Sequence, residues 1–187
     1  MPSRKERKRI MKLFIASDIH GSAEYCRKLV DAFFLEQAET LVLLGDLLYG
    51  GSQADHVDII LMLNRIADRI LCVRGNCDTD SDQAAFNFPM PIQQCLFDLG
   101  HTFFLTHGHI YSETCPPTLE IGDVLITGHT HIPAWRKNSR FLYLNPGSVS
   151  RPRGGSAHSY MTYENGTFQW KTIEGTVFYT YSISKNQ

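Results

Sequence analysis

The first half of the chain alternates short apolar runs with segments of helical periodicity, and that order leaves few folds open. "KLFIAS" (12–17), "TLVLL" (40–44) and "ILCVR" (70–74) read as buried strands. Between the first two, Cys26, Leu29, Val30 and Phe33 follow the i, i+3, i+4, i+7 spacing of a helix, with Ser22 available as its cap. Between the second and third, Val57, Ile60, Leu61 and the stretch from Asn64 to Ala67 predict a second amphipathic helix. Strands alternating with helices imply mostly parallel β-α-β units. The second half changes character. "HTFFLT" (101–106), "DVLIT" (123–127), "FLYL" (141–144), "SYMTY" (159–163) and "TFQWKTI" (167–173) predict strands with little helix between them. "ENG" (164–166) predicts a hairpin turn, "TVFYTYSI" (176–183) a closing strand and "PRGGS" (152–156) a loop. The expectation is an α/β fold of two sheets packed face to face with helices outside, in one domain over residues 12–187.

Charge divides this chain unevenly. Residues 1–12 carry six Lys or Arg and one Glu, leaving twelve basic against eighteen acidic side chains in the remainder. The basic residues 1–11 are expected to form a disordered extension, because the run is short and lacks aromatics. A mildly acidic body argues against general nucleic-acid binding. No stretch approaches the roughly 20 apolar residues that span a bilayer, so no membrane partner is expected. Cysteines 26, 72, 77, 95 and 115 are odd in number and scattered, which suits reduced thiols in a cytoplasm better than a disulfide framework.

The polar residues fall where the strands stop. "LFIAS" leads to Asp18 and His20, "TLVLL" to Gly45-Asp46, and "ILCVR" to Gly75-Asn76. "FFLT" leads to His107-Gly108-His109, and "DVLIT" to Gly128-His129-Thr130-His131. Ligands of open α/β sheets bind outside the carboxyl ends of the strands, so these side chains can share one rim. Asp-x-His or Gly-Asp taken alone is an ordinary turn; five such motifs in order, each at a strand end, are not explained as turns. Carboxylate, carboxamide and imidazole together suit borderline divalent cations such as Mn, Fe, Co, Ni or Zn, and no thiolate set favours zinc alone. An aspartate can bridge two such ions about 3.5–4 Å apart.

With those motifs in hand, the chain resembles the calcineurin-like metallophosphoesterases. Their ordered signature appears here as "DIH", "GD", "GN", "HGH" and "GHTH". The small bacterial branch of YfcE-type phosphodiesterases is most similar, through "ASDIHGS", "VRGNCD", "LTHGH", "GHTH-P" and "NPGSVS". The resemblance implies a four-layer αββα sandwich of two mixed sheets with a dimetal site at the strand C-terminal rim. It implies that Asp18, His20 and His131 hold one metal, that Asn76, His107 and His129 hold the other, and that Asp46 bridges them. His109 becomes a rim or supporting residue. Two divalent ions per chain follow, Mn2+ foremost, and a homo-oligomer is suggested.

Cys77 stands where many relatives have a histidine that assists phosphate binding or leaving-group protonation. It is the candidate catalytic residue, weighed against a small filler beside the metals; the other four thiols are expected in core or surface positions. The reaction implied is hydrolysis of a small phosphodiester by a hydroxide activated between two divalent ions. Two dications less Asp18 and Asp46 leave two positive charges, which a hydroxide and one diester anion neutralise and a monoester dianion overshoots. Phosphomonoesterase or nucleotidase activity is the nearest rival, and a non-catalytic protein-interaction scaffold on the same fold is the rival from another class.

Overall fold

The computed structural model describes residues 12–184. The basic extension expected over residues 1–11 lies outside the described residues. In chain order the elements are β1 (Leu13–Ala16), α1 (Ala23–Leu35), β2 (Thr40–Leu43), α2 (Gln53–Asn64), β3 (Ile70–Cys72), α3 (Asp80–Ala85), β4 (Gln93–Asp98) and β5 (His101–Thr106). There follow β6 (Val124–Ile126), β7 (Ala134–Lys137), β8 (Leu142–Asn145), β9 (Ser159–Glu164), β10 (Thr167–Thr172) and β11 (Val177–Ser182). One sheet runs β11-β10-β9-β1-β2-β3, with β1, β2 and β3 parallel and β9 to β11 antiparallel. The other runs β4-β5-β6-β8-β7, with β5, β6 and β8 parallel and an antiparallel strand at each edge. The expected pair of mixed sheets is what the chain builds.

Strand alternation assigns the core. Leu13 and Ile15 of β1, Val42 of β2 and Met161 and Tyr163 of β9 face Phe103 and Leu105 of β5, Val124 and Ile126 of β6, and Leu142 and Leu144 of β8. The intervening Phe14, Ala16, Leu41, Leu43 and Tyr160 face the other way, onto Cys26, Leu29 and Phe33 of α1 and Ile59 and Leu63 of α2. Trp170 fixes the two sheets to each other: fully buried on β10, its indole Nε1 donates to the Asn145 carbonyl at the end of β8, 2.7 Å away. On the outer face of the second sheet, Phe104, Leu125 and Tyr143 are covered by Tyr111 and Leu119 of the helix-free segment 107–123, so the helices described here lie on the first sheet's side.

Four elements differ from the sequence reading for physical reasons. Helix α2 forms, but it buries Ile59 and Leu63, while Val57 and Leu61 are 50% and 52% exposed. "VDIILML" is apolar nearly all round, so no single stripe is marked, and packing against α1 picks the face. Strand β4, "QQCLFD", has only the three apolar residues Cys95 to Phe97 because it is an edge strand with one face in water; its hairpin partner β5 pairs Asp98 with His101 across Leu99 and Gly100, both at positive φ. Helix α3 announces itself only by a capping box between Thr79 and Asp82, and β7 is a four-residue edge strand with two exposed residues. No helix among the described residues is long and apolar enough to cross a membrane.

Candidate metal centre

Strands β1, β2, β3, β5 and β6 each end one to four residues before a proposed ligand. The loops there are wound tightly. Asp18, His20, Asp46, His129 and His131 sit at φ of 59°, 48°, 57°, 65° and 62°, a left-handed region that few residues other than glycine enter and that Asp and His enter more readily than most. The loops also interlock. Asp18 N–H donates to Gly45 O at 3.1 Å, His20 N–H to Asp46 O at 2.9 Å, and Gly128 N–H to His107 O at 2.8 Å. Glycine is required where they cross: a Cβ on Gly75 would lie 2.1 Å from Asp46 Oδ1, and one on Gly128 would lie 1.8 Å from Ser17 Oγ.

The seven expected ligand residues come to one rim. Asp18 Oδ1 lies 3.2 Å from His131 Nε2 and 3.6 Å from His20 Nε2, and these two imidazole nitrogens are 3.1 Å apart. Asp46 Oδ2 lies 3.3 Å from His107 Nε2 and 3.6 Å from His20 Nε2, so it faces both groups. Asn76 Oδ1 is 3.0 Å from His107 Nε2. His129 stands at the margin: its ring centre is 5.1 Å from that of His107, and its backbone N–H donates to Asp18 Oδ2 at 3.1 Å. His109 is an exposed rim residue 5.5 Å from His107, ring to ring. Cys77 Sγ lies within 4.8 Å of ligand atoms of both His20 and Asp46 and accepts from Asn76 Nδ2 at 3.2 Å.

The electrostatics favour anionic carboxylates. Burial alone would raise Asp18, but the His131 and His20 imidazoles beside it hold its carboxyl far below the ordinary range. Asp46 is pushed up by burial and pulled further down by His107. His131 and His107 are lowered by burial and raised past their ordinary value by Asp18 and Asp46 respectively. His129 has no such carboxylate contact, and burial and the His107 charge lower it. Burial and the neighbouring Asp46 push the Cys77 thiol up to about 12.

Residues 11–167 match the calcineurin-like phosphoesterase superfamily domain. The chain belongs to that superfamily. Phosphodiesterase YfcE of Escherichia coli K12 is 39% identical to this phosphoesterase over 164 residues, covering 83% of this chain and 89% of its own. The solved structure of that E. coli phosphoesterase superposes with a TM-score of 0.87 at 34% identity, over 93% of this chain and 100% of its own. Wild-type Vps29 of Entamoeba histolytica, in complex with Zn2+, superposes with a TM-score of 0.61 over 94% of this chain and 100% of its own, and at 20% identity this is a likeness of fold.

A divalent cation fits the donor atoms this phosphoesterase gathers. His107 Nδ1 faces the Leu44 carbonyl at 2.6 Å and His131 Nδ1 the Arg151 carbonyl at 2.6 Å. A carbonyl can only accept, so both Nδ1 atoms donate and both Nε2 lone pairs point into the centre. Asp18 Oδ1, buried in the same place, has no hydrogen-bond partner of its own. In the neutral imidazoles these lone pairs converge with the carboxylates, and a divalent cation can take the place of the protons that would otherwise hold them together.

Several supporting residues carry no motif that sequence reasoning could isolate. Asp78 is buried, and its carboxylate accepts from the N–H groups of Asp46, Leu47 and Gly75 at 2.7–2.8 Å, clamping the loops after β2 and β3 together. Ser148 and Ser150 both donate to Asp18 O, at 2.8 and 3.1 Å, and Asn145 Nδ2 donates to Gly128 O at 2.7 Å. Within "VRGNCD" and "NPGSVS" these residues were visible only as part of a likeness, since their roles depend on partners more than 15 residues away.

Proposed function

We propose that this chain is a phosphodiesterase holding two divalent cations, Mn2+ foremost. One sits on Asp18, His20 and His131, the other on Asn76, His107 and His129, and Asp46 is shared between them. The observation that carries the reading is the position of Asp46 Oδ2, 3.3 Å from His107 and 3.6 Å from His20, where one carboxylate oxygen serves both groups. The identity to a phosphodiesterase over most of both chains supports the choice of reaction. Bound there, such cations supply an acidified water and an electrostatic clamp on phosphoryl oxygens.

The chain's own part is orientation. Cys77 N–H donates to Asp46 Oδ1 at 2.9 Å, which fixes the carboxylate so that Oδ2 alone turns inward. Leu44 and Arg151 carbonyls hold the tautomers of His107 and His131. Cys77 borders the cleft as the candidate catalytic residue. A cytoplasmic setting suits the five cysteines, all free thiols.

The test is a single experiment with three arms. Protein freed of metal by a chelator is reloaded with Mn2+, its metal content per chain is measured, and turnover of bis(p-nitrophenyl) phosphate and p-nitrophenyl phosphate is compared. Two ions per chain and faster cleavage of the diester are expected. A faster monoester reaction would favour the phosphatase reading, and two bound ions with neither reaction would favour a scaffold.

A further inference from the structure

The mouth of the cleft over the metal centre is basic. The cleft holds about 620 Å3 and is lined by five of the proposed ligands together with Cys77, Tyr49, Arg151 and Arg153. That volume is in the range of sites that enclose a whole small ligand, far more than one phosphate requires. Neither guanidinium is spent elsewhere: the arginines ion-paired among the described residues are Arg27, Arg74 and Arg136.

Both arginines are rooted in the centre. The Arg151 carbonyl accepts from His131 Nδ1 at 2.6 Å, and Arg153 N–H donates to the His131 carbonyl at 3.1 Å. Arg151 N–H donates at 2.8 Å to Ser148 Oγ, which itself donates to the Asp18 carbonyl. Their backbones are therefore placed relative to two proposed ligands, and only the side chains are free to reach. Arg151 extends along Gly50, where a Cβ would lie 2.2 Å from Nη2 and displace it.

Charge says what such a pair would take. The proposed centre is balanced by one diester anion and one hydroxide without help from the rim. Arg151 and Arg153 add two unopposed positive charges beside it. A guanidinium meets phosphate oxygens through two parallel N–H donors, so the complementary group is a phosphate dianion. We infer that Arg151 and Arg153 form an anion subsite and that the substrate is a phosphodiester one of whose alcohols carries a second, terminal phosphate. The inference rests on the phosphodiesterase reading and names a substrate class for it. Water adds to the diester phosphorus, the P–O bond to one alcohol breaks, and that alcohol leaves with a proton from the water; the terminal phosphate is unchanged.

The test uses the Mn2+-loaded full chain and p-nitrophenyl alkyl phosphates whose alkyl group, of two, three or four carbons, ends in either a hydroxyl or a phosphate. The readout is the ratio of kcat/KM between the two endings at equal chain length, which partial unfolding does not change. At one length or more the phosphate ending should be favoured by about tenfold or more, as for hydrogen bonds to a charged group. Arg151→Gln with Arg153→Gln should bring the ratio to about threefold or less, and the paired lysine substitutions should restore part of it. A ratio near one at every length, or a ratio that survives both glutamines, overturns the subsite. Calorimetric binding of propane-1,3-diol bisphosphate against propyl phosphate separates this from the reaction itself. Should no diester be cleaved while the bisphosphate binds about tenfold tighter in wild type only, the subsite stands and the phosphodiesterase reading falls.

Discussion

At the scale of single residues, Asp46 is the side chain whose loss reaches furthest. Its two oxygens have separate tasks, Oδ1 accepting from Cys77 N–H and Oδ2 facing both histidine groups. Asp46→Asn preserves the shape but removes the shared negative charge, and diester turnover should fall by about 10³ or more while far-UV circular dichroism is unchanged. A folded variant with a tenth of wild-type turnover would remove Asp46 from the bridging position. Cys77 makes a different case. Its backbone N–H does the positioning, and a backbone contact survives replacement of the side chain. Cys77→Ala should therefore cost less than about tenfold on a nitrophenyl diester, below the 10²–10⁴ expected of a general acid. A loss beyond a hundredfold that grows with leaving-group pKa would make the thiol the acid. The seven proposed ligand positions were legible from the sequence because strand ends are easy to locate and Asp, Asn and His after them are uncommon in such number. Asp78 was not, because nothing in "NCD" reveals that its carboxylate closes onto three backbone N–H groups.

At the scale of elements, helix α2 shows where periodicity stops deciding. The sequence placed Val57, Ile60 and Leu61 on the buried stripe; in the structure Ile60 packs partly against the core, Val57 and Leu61 are exposed, and Ile59 and Leu63 are the buried residues. A near-continuous apolar run satisfies several stripes equally, and only the shape of the surface offered by α1 and the first sheet chooses among them. The two faces should respond oppositely to substitution. Val57→Lys should change the free energy of unfolding by no more than about 0.5 kcal/mol, as at other exposed sites. Ile59→Ala should cost about 2–5 kcal/mol, through lost burial and the cavity left behind. Urea denaturation of the two variants decides the point, and the reverse order of effects would restore the face read from the sequence. Strands fared better than this helix because β1, β2, β5 and β6 are enclosed on both sides and read as continuous apolar runs.

Across the whole molecule, Glu36 ties the end of a helix to the first sheet through ion pairs with Lys12 and Lys171. It ends α1, and its carboxylate accepts from Lys171 of β10 at 2.6 Å, Tyr160 of β9 at 2.9 Å and Lys12 before β1 at 2.8 Å. Burial would raise this carboxyl, but the two ammonium groups and the phenol hold it below its ordinary value. The folded state thus binds this proton more weakly than the unfolded chain does. The resulting stability is complete above the ordinary glutamate pKa and is lost as pH falls through the depressed folded value. Glu36→Gln should lower stability at neutral pH by about 1.5 kcal/mol or more, the scale of one hydrogen bond to a charged group. The gap between the two proteins should close in acid, below about pH 4.5, where the carboxyl in the unfolded chain is protonated. Thermal melts of both at pH 3 and pH 7 measure this, and a constant gap would show that Glu36 acts by packing and not by charge. Removing divalent metal should lower the melting temperature of both proteins alike, since any ion that binds only the native state stabilises it by mass action.

The left-handed backbone at Asp18, His20, Asp46, His129 and His131 sets the chain's chemistry against its durability. Each such residue costs on the order of 1 kcal/mol that glycine would not. His129 is the clearest instance, half-buried and held through its backbone N–H, which a glycine would retain. Selection for heat resistance alone, with no demand for turnover, should enrich His129→Gly and erode the rim while leaving the inter-sheet core untouched. The centre persists as a standing debt that only activity keeps in place.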